Sequence, residues 1–322
     1  MHRWLHRLSL VLCCTALVAC APWLAPASPS QPRSIELSEV PFFPQAKYQC
    51  GPAALATVLN FSGLDVDSET LESAVYLPKR EGSLQAELLA ASRRHERIPY
   101  RIPGTLDALQ QELLAGNPVL IMQNLGIDVL PRWHYAVVVG YQAEHNSWVL
   151  RSGTKQRSIE SAASFWRRWS KAGNWALVTK PAGELAATVE PRAALQALAD
   201  VESMLSAQQA QRAWEAALLR WPEEADLQFA TANARRRRGL IADAAALYRQ
   251  LIKQQPDHLA AHNNYADLLL EAGCPYQAEL TLNAALEYEN STALMSATLH
   301  KTAEEVQAAL QQKPAETDCP IN

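Results

Sequence analysis

Residues 42–60, FFPQAKYQCGPAALATVLN, set Gln45 five residues ahead of Cys50 and a Gly-Pro directly behind it. A cysteine attacks as its thiolate, and a free thiol of pKa about 8.5 supplies little of that at neutral pH. Two neighbours lower the value, a helix N-terminus and an imidazolium. Cys50 stands where an apolar helix should begin, with Ala53, Ala54, Val58 and Leu59 at helical spacing and a stop near Gly63. The helix dipole then points the right way, and the site calls for a histidine. His95 falls in a charged helix end, His145 in a hairpin turn, and His258, His262 and His300 in a helical C-terminal region. His134 differs, because it opens the strand-like run HYAVVVGY. From the first position of a buried strand it can reach across to a helix N-terminus. The plain alternatives are a satisfied core histidine at 134 and a packing or cross-linking cysteine at 50.

The elements that must position these groups lie between residues 35 and 182. Helical spacing predicts helices over 50–63, 83–95 and 105–116, the last stopped by Gly116. Strand patterns cover 118–125, 134–142, 147–152 and 174–180, with AEHN as a hairpin turn. Helices first and strands after make an α+β domain. Trp166, Trp169 and Trp175 read as core and sheet-edge cover rather than groove lining.

Gln-x4-CGPAAL followed some 80 residues later by WHYAVVVGY resembles the C39-type, papain-like cysteine peptidases, which include the double-glycine leader peptidases of bacteriocin exporters. The resemblance implies that Cys50 is the nucleophile and His134 the general base. It also implies that the Gln45 amide and the Cys50 N–H donate to the oxyanion, where losing one donor costs about 3 kcal/mol. Gly51 would let a substrate carbonyl approach the backbone. In that family an Asp-Pro follows the next strand and its Asp orients the imidazole. Here Ser152-Gly153 stands in that place, so Ser152 takes the position without a charge, and Asn146 and Asp128 remain other candidates for the role. Nothing in the pattern calls for a cofactor or metal. There is no Gly-rich phosphate loop or second apolar span, so ATP-coupled export does not follow.

The 322 residues carry 29 basic against 33 acidic side chains, which excludes the usual basic face of a nucleic-acid binder. The one basic run, ARRRRG at 234–239, reads as a solvated helix face. Residues 1–20 read as an export signal: positive MHRWLHR, then apolar LSLVLCCTALVA, too short to span a bilayer. The signal ends in LVAC, which resembles a bacterial lipobox, and the resemblance implies a lipid on Cys20 and, with Ala21 behind it, an outer-membrane location facing the periplasm. Residues 21–34, rich in Pro, Ser and Ala, read as a flexible tether. Of six cysteines, three then remain in the body: Cys274 and Cys319 are the natural pair, and Cys50 is left as a free thiol.

Residues 191–311 are helical with a period of 34. Ala210, Ala244 and Ala278 share one position, Trp214, Tyr248 and Leu282 another, and Gly239 and Gly273 mark turns. The pattern resembles the tetratricopeptide repeat, about three units with 293–310 as the capping helix and 312–322 as a tail. The resemblance implies an all-α solenoid whose concave face recruits a protein partner or peptide substrate. Two functional classes stand: a lipid-anchored peptidase of the cell envelope, or an interaction lipoprotein whose C39-like domain is catalytically degenerate.

Overall fold

The computed structural model describes residues 28–45, 49–288, 293–312 and 319–321. Cys20 and the signal segment lie outside them. Seven antiparallel strands form one sheet: β1 (Ile35–Glu36), β2 (Ile98–Arg101), β3 (Val119–Asn124), β4 (Trp133–Gln142), β5 (Ser147–Ser152), β6 (Lys155–Ser161) and β7 (Ala176–Lys180). Their order is β2-β7-β3-β4-β5-β6, with β1 pairing β4. Successive side chains of a strand point to opposite faces. Leu120 of β3 therefore joins one core and Val119 and Ile121 the other.

The first face carries α1 (Cys50–Phe61), α2 (Ser68–Val75) and α3 (Gln85–Arg94). Every residue of α1 from Gly51 to Leu59 is buried, as expected for a helix apolar all round. The second face carries α4 (Leu106–Leu114) and α5 (Ala162–Ser170), through Leu109, Leu113, Phe165 and Trp169. Thr105 caps α4, its hydroxyl accepting from the Ala108 N–H at 3.1 Å. Trp169 and Trp175 are core residues, and the Trp169 indole N–H donates to the Trp175 carbonyl. The N-terminal half is thus α+β, one antiparallel sheet with helices on both faces.

The flexible tether expected over 21–34 does not extend through its described part. Pro29 is buried, and the Ser30 N–H and hydroxyl both donate to Asp107 Oδ1, at 2.7 and 2.9 Å. The Arg33 N–H donates to Gln110 Oε1, and Gln110 Nε2 returns a bond to the Gln31 carbonyl. Residues 30–33 run as a strap along α4, fixed by side-chain amides that composition alone does not announce.

The C-terminal half is helical: α6 (Pro191–Val201), α7 (Ala207–Arg220), α8 (Ala225–Arg237), α9 (Ile241–Gln254), α10 (Leu259–Glu271), α11 (Pro275–Leu286) and α12 (Ala293–Gln312). Ala210, Ala244 and Ala278 are all buried, as are Trp214, Tyr248 and Leu282. Gly239 and Gly273 take positive φ, +74° and +77°, at the α8–α9 and α10–α11 turns, where other residues are strained. This half does not hang from a loose joint. Ala194, Leu198 and Trp214 share one core with Ile121 and Val138 of the sheet. Buried Glu112 of α4 accepts from the Ala187 and Thr188 N–H groups and the Thr188 hydroxyl, on the connecting segment.

The arginine run is solvated only in part: Arg237 and Arg238 are exposed, whereas Arg235 and Arg236 are half-buried. Arg235 pairs Glu215, Arg236 pairs Glu271, and Arg237 pairs Glu202, each across helices. Cys274 and Cys319 form a disulfide, and Cys50 is the free cysteine among the described residues.

Candidate active site

Cys50 is the first residue of α1 and is partly buried. His134 is the second residue of β4, opposite Gln123 of β3. Both, with Gln45, line one cleft of about 520 Å³ whose walls include Arg80 to Leu84 and Pro131 to Tyr135. Three segments far apart in sequence therefore meet in one place.

Ser152 ends β5, and its hydroxyl lies 2.8 Å from His134 Nε2. That occupies one ring nitrogen and leaves Nδ1 as the one open to a thiol proton. The other two candidates for this role are engaged elsewhere. Asn146 accepts from the Tyr141 hydroxyl at 2.7 Å, and Asp128 pairs Lys171 at 2.9 Å on the surface. The next residue, Gly153, accepts the Gln45 N–H at 3.2 Å and so fixes the segment bearing Gln45.

The electrostatics differ from the expected thiolate–imidazolium pair. Burial pushes the Cys50 thiol up, and the backbone N–H groups of Tyr135, Gly51 and Cys50 only partly oppose it. Burial, with Arg132 and Arg168 nearby, lowers His134 to about 4. The resting groups are therefore neutral: a thiol and an uncharged imidazole on the walls of one cleft. Ser152 does nothing to offset the burial, since a hydroxyl offers an acceptor but no charge to hold an imidazolium.

Gly51 has a structural reason as well. A Cβ there would stand 2.3 Å from Ser83 Oγ and 2.6 Å from Ser83 Cβ. The bare position lets the Ser83 turn close on the start of α1. Ser83 was not foreseen as part of the site. Its hydroxyl is buried without a partner in the cleft wall, and its carbonyl accepts from the Tyr135 hydroxyl at 3.3 Å. No sequence signal marks it, because its place follows from how 77–84 folds back.

Residues 37–177 match the model of the Peptidase_C39 like family. That span holds Gln45, Cys50, His134 and Ser152 and ends before the helical half. Among solved structures, the chain is similar to a Bacillus anthracis protein described as C39-like peptidase, at 18% identity and TM-score 0.39, covering 46% of this chain and 98% of that one. It is also similar to the peptidase domain of Streptococcus ComA, a bifunctional ABC transporter of a quorum-sensing pathway, at 20% identity and TM-score 0.37, covering 44% and 99%. A third, a double-glycine-motif protease from an AMS/PCAT transporter in complex with the leader peptide, aligns at 21% identity and TM-score 0.34, covering 47% and 99%. No curated protein matches the chain.

Proposed function

We propose that this protein is a cysteine peptidase of the cell envelope, held to the membrane by a lipid on Cys20, which hydrolyses peptide bonds with Cys50 and His134. The supporting observation is that Gln45, Cys50 and His134 line one cleft while Ser152 holds the far side of the imidazole. His134 Nδ1 takes the Sγ proton as Sγ bonds to the scissile carbonyl carbon, and the carbonyl electron pair moves onto oxygen. The Gln45 amide and the Cys50 N–H receive that charge at the N-terminus of α1. The C–N bond then breaks, the amine leaves with the proton from His134, and water attacks the thioester with His134 again as base. The imidazole is unprotonated across the neutral range and so free to accept the proton, but its lowered pKa makes it a weak base, and the step leans on the α1 N-terminus to stabilise the thiolate.

The helical half, read as tetratricopeptide repeats, would bring the polypeptide to the cleft or bind a protein partner. A second cleft of about 380 Å³, lined by Asn233, Arg236, Arg237 and Glu271, supports such a role.

The test is cleavage of a peptide library by the native protein beside Cys50→Ala, His134→Ala and Gln45→Ala. Loss of all turnover with the first two, and a drop of about a hundredfold with the third, is expected. If none of the four proteins cleaves any member while the native protein still binds peptides, the domain is a binding module, the reading that the uncharged Ser152 favours.

A further inference from the structure

The loop between β3 and β4 faces outward with apolar side chains. Ile127 is 60% exposed, Val129 88%, Leu130 70% and Trp133 52%. The loop is nonetheless built rather than frayed. The Leu125 N–H donates to the Arg132 carbonyl at 2.9 Å, and the Leu130 N–H donates to Ile127 at 3.1 Å. Buried Asn124 accepts both the Gly126 and the Arg132 N–H at 2.9 Å. A Cβ at Gly126 would stand 2.3 Å from the Leu130 carbonyl oxygen, so the turn closes tightly. Four backbone N–H groups are thus bonded within the turn while its aliphatic side chains are presented outward. That combination is costly in water and is what a bilayer interface requires.

Two further observations select a lipid surface as the occupant. The first is charge. The loop's one carboxylate, Asp128, is neutralised by Lys171. Among the described residues neither Arg132 of the loop nor Arg80 of the cleft wall forms an ion pair, and Trp133 lines the same cleft, as does one carboxylate, Glu81. Cations and a tryptophan around an aliphatic tip suit an anionic headgroup layer.

The second is where the chain emerges. The register Asn124↔Trp133 and Ile121↔Ala176 puts the loop at the end of the sheet where β7 begins. Asn174 Nδ2, just before β7, donates to the Gly104 carbonyl at 3.0 Å, so α4 starts at that same end. Ser30 is bound to Asp107 in its first turn. The described chain thus starts at the same end of the sheet as the apolar loop. The preceding segment holds Cys20, proposed above to carry the lipid, and the eight residues from Cys20 to Ser28 reach at most about 28 Å.

We propose that the 125–133 loop docks into the surface of an anionic bilayer, with Ile127, Val129 and Leu130 in the acyl boundary and Trp133 and Arg132 at the headgroups. The cleft then opens along the membrane. A consequence, which alone rests on the peptidase reading above, is that the substrates are polypeptides lying on or emerging from the bilayer.

The full chain is reconstituted into phosphatidylcholine–phosphatidylglycerol vesicles with and without brominated acyl chains. The Trp133 emission is taken as the difference between the native protein and Trp133→Phe. Bromolipid is expected to quench that component more than twofold, and an Ile127→Ser/Val129→Ser/Leu130→Ser variant, which still pellets with the vesicles, is expected to lose the quenching. An unquenched Trp133, or quenching unchanged in the triple variant, overturns the proposal and leaves the loop as a rim for polypeptide side chains. The readout needs no turnover, so it separates failure of membrane docking from failure of the peptidase reading. All three aliphatic residues are exposed, so unchanged thermal unfolding is the folding control.

Discussion

Replacing Ser152 with aspartate should raise the pKa of His134 and favour its charged form. The Ser152 hydroxyl lies 2.8 Å from His134 Nε2. A carboxylate there would place its charge roughly 4 Å from the imidazolium centre, worth about 4 kcal/mol at an effective dielectric of about 20. At about 1.4 kcal/mol per unit this bounds the rise near 3 units, and the carboxylate's own burial takes part of it back. A rise of about 1–3 units is the usual range for such a neighbour. His134, now at about 4, should then titrate at roughly 5 to 7. The assay is the rate of Cys50 alkylation by iodoacetamide from pH 3 to 10, with the His134 ring followed by NMR. In the native protein, alkylation should rise only in the alkaline range, because burial holds the thiol up. In Ser152→Asp the imidazole titration should move up to roughly 5 to 7, and any alkylation phase that tracks it should vanish in Ser152→Asp/His134→Ala. An imidazole pKa that stays at its native value in Ser152→Asp would refute the claim that the missing charge sets the neutral resting state.

Acid stability follows from the same imidazole. Its folded pKa of about 4 lies below the unfolded value of 6.5, so the unfolded chain binds the extra proton. Stability should fall as pH drops from 6.5 to about 4, by up to about 3 kcal/mol, and urea unfolding of His134→Gln should lack that component. Gly51→Ala should destabilise the protein by about 1–3 kcal/mol, since its Cβ meets Ser83 at 2.3 Å, and adding Ser83→Gly should restore most of it. No rescue would mean that the clash is not the cause. Reducing the Cys274–Cys319 disulfide, whose cysteines lie 45 residues apart, should cost up to about 4 kcal/mol in the C-terminal helices. A cost below about 1 kcal/mol would show that Arg249, which donates to the Ile321 carbonyl at 2.9 Å, already holds the tail in place.

The parts of the fold legible in the sequence were those with strong periodicity. Cys50–Phe61, Leu106–Leu114 and Trp133–Gln142 fall within a residue or two of their expected bounds. The missed strands lack such a signal. Lys155–Ser161 is an exposed polar edge strand, recognisable only by its pairing with β5. Ile98–Arg101 is four residues long with Pro99 inside it, tolerable because β2 is the other edge. Cys50 and His134 could be singled out because their residue types are scarce in the body of the chain. Ser83 could not, because a serine in a loop carries no mark until its hydroxyl is found buried against Gly51. The thiol's environment was misread for a related reason: a helix N-terminus is visible in sequence, but the depth at which it sits is not.

What replaces the missing carboxylate is a turn rather than a residue. Ser152 and Gly153, at φ +62°, join β5 to β6. The first holds the imidazole and the second accepts the N–H of Gln45. Just before them, buried Arg151 donates to the Val40, Ser38 and Gln156 carbonyls, tying the hairpin to the segment that leads to Gln45. The position of the imidazole and that of the segment bearing Gln45 are thus set by the same few residues. A change at Arg151 would displace both at once, whereas a change at Ser152 alters the charge of the imidazole and leaves Gln45 in place. The geometry of the site and its electrostatics are therefore separable, and the native sequence has kept the first without the second.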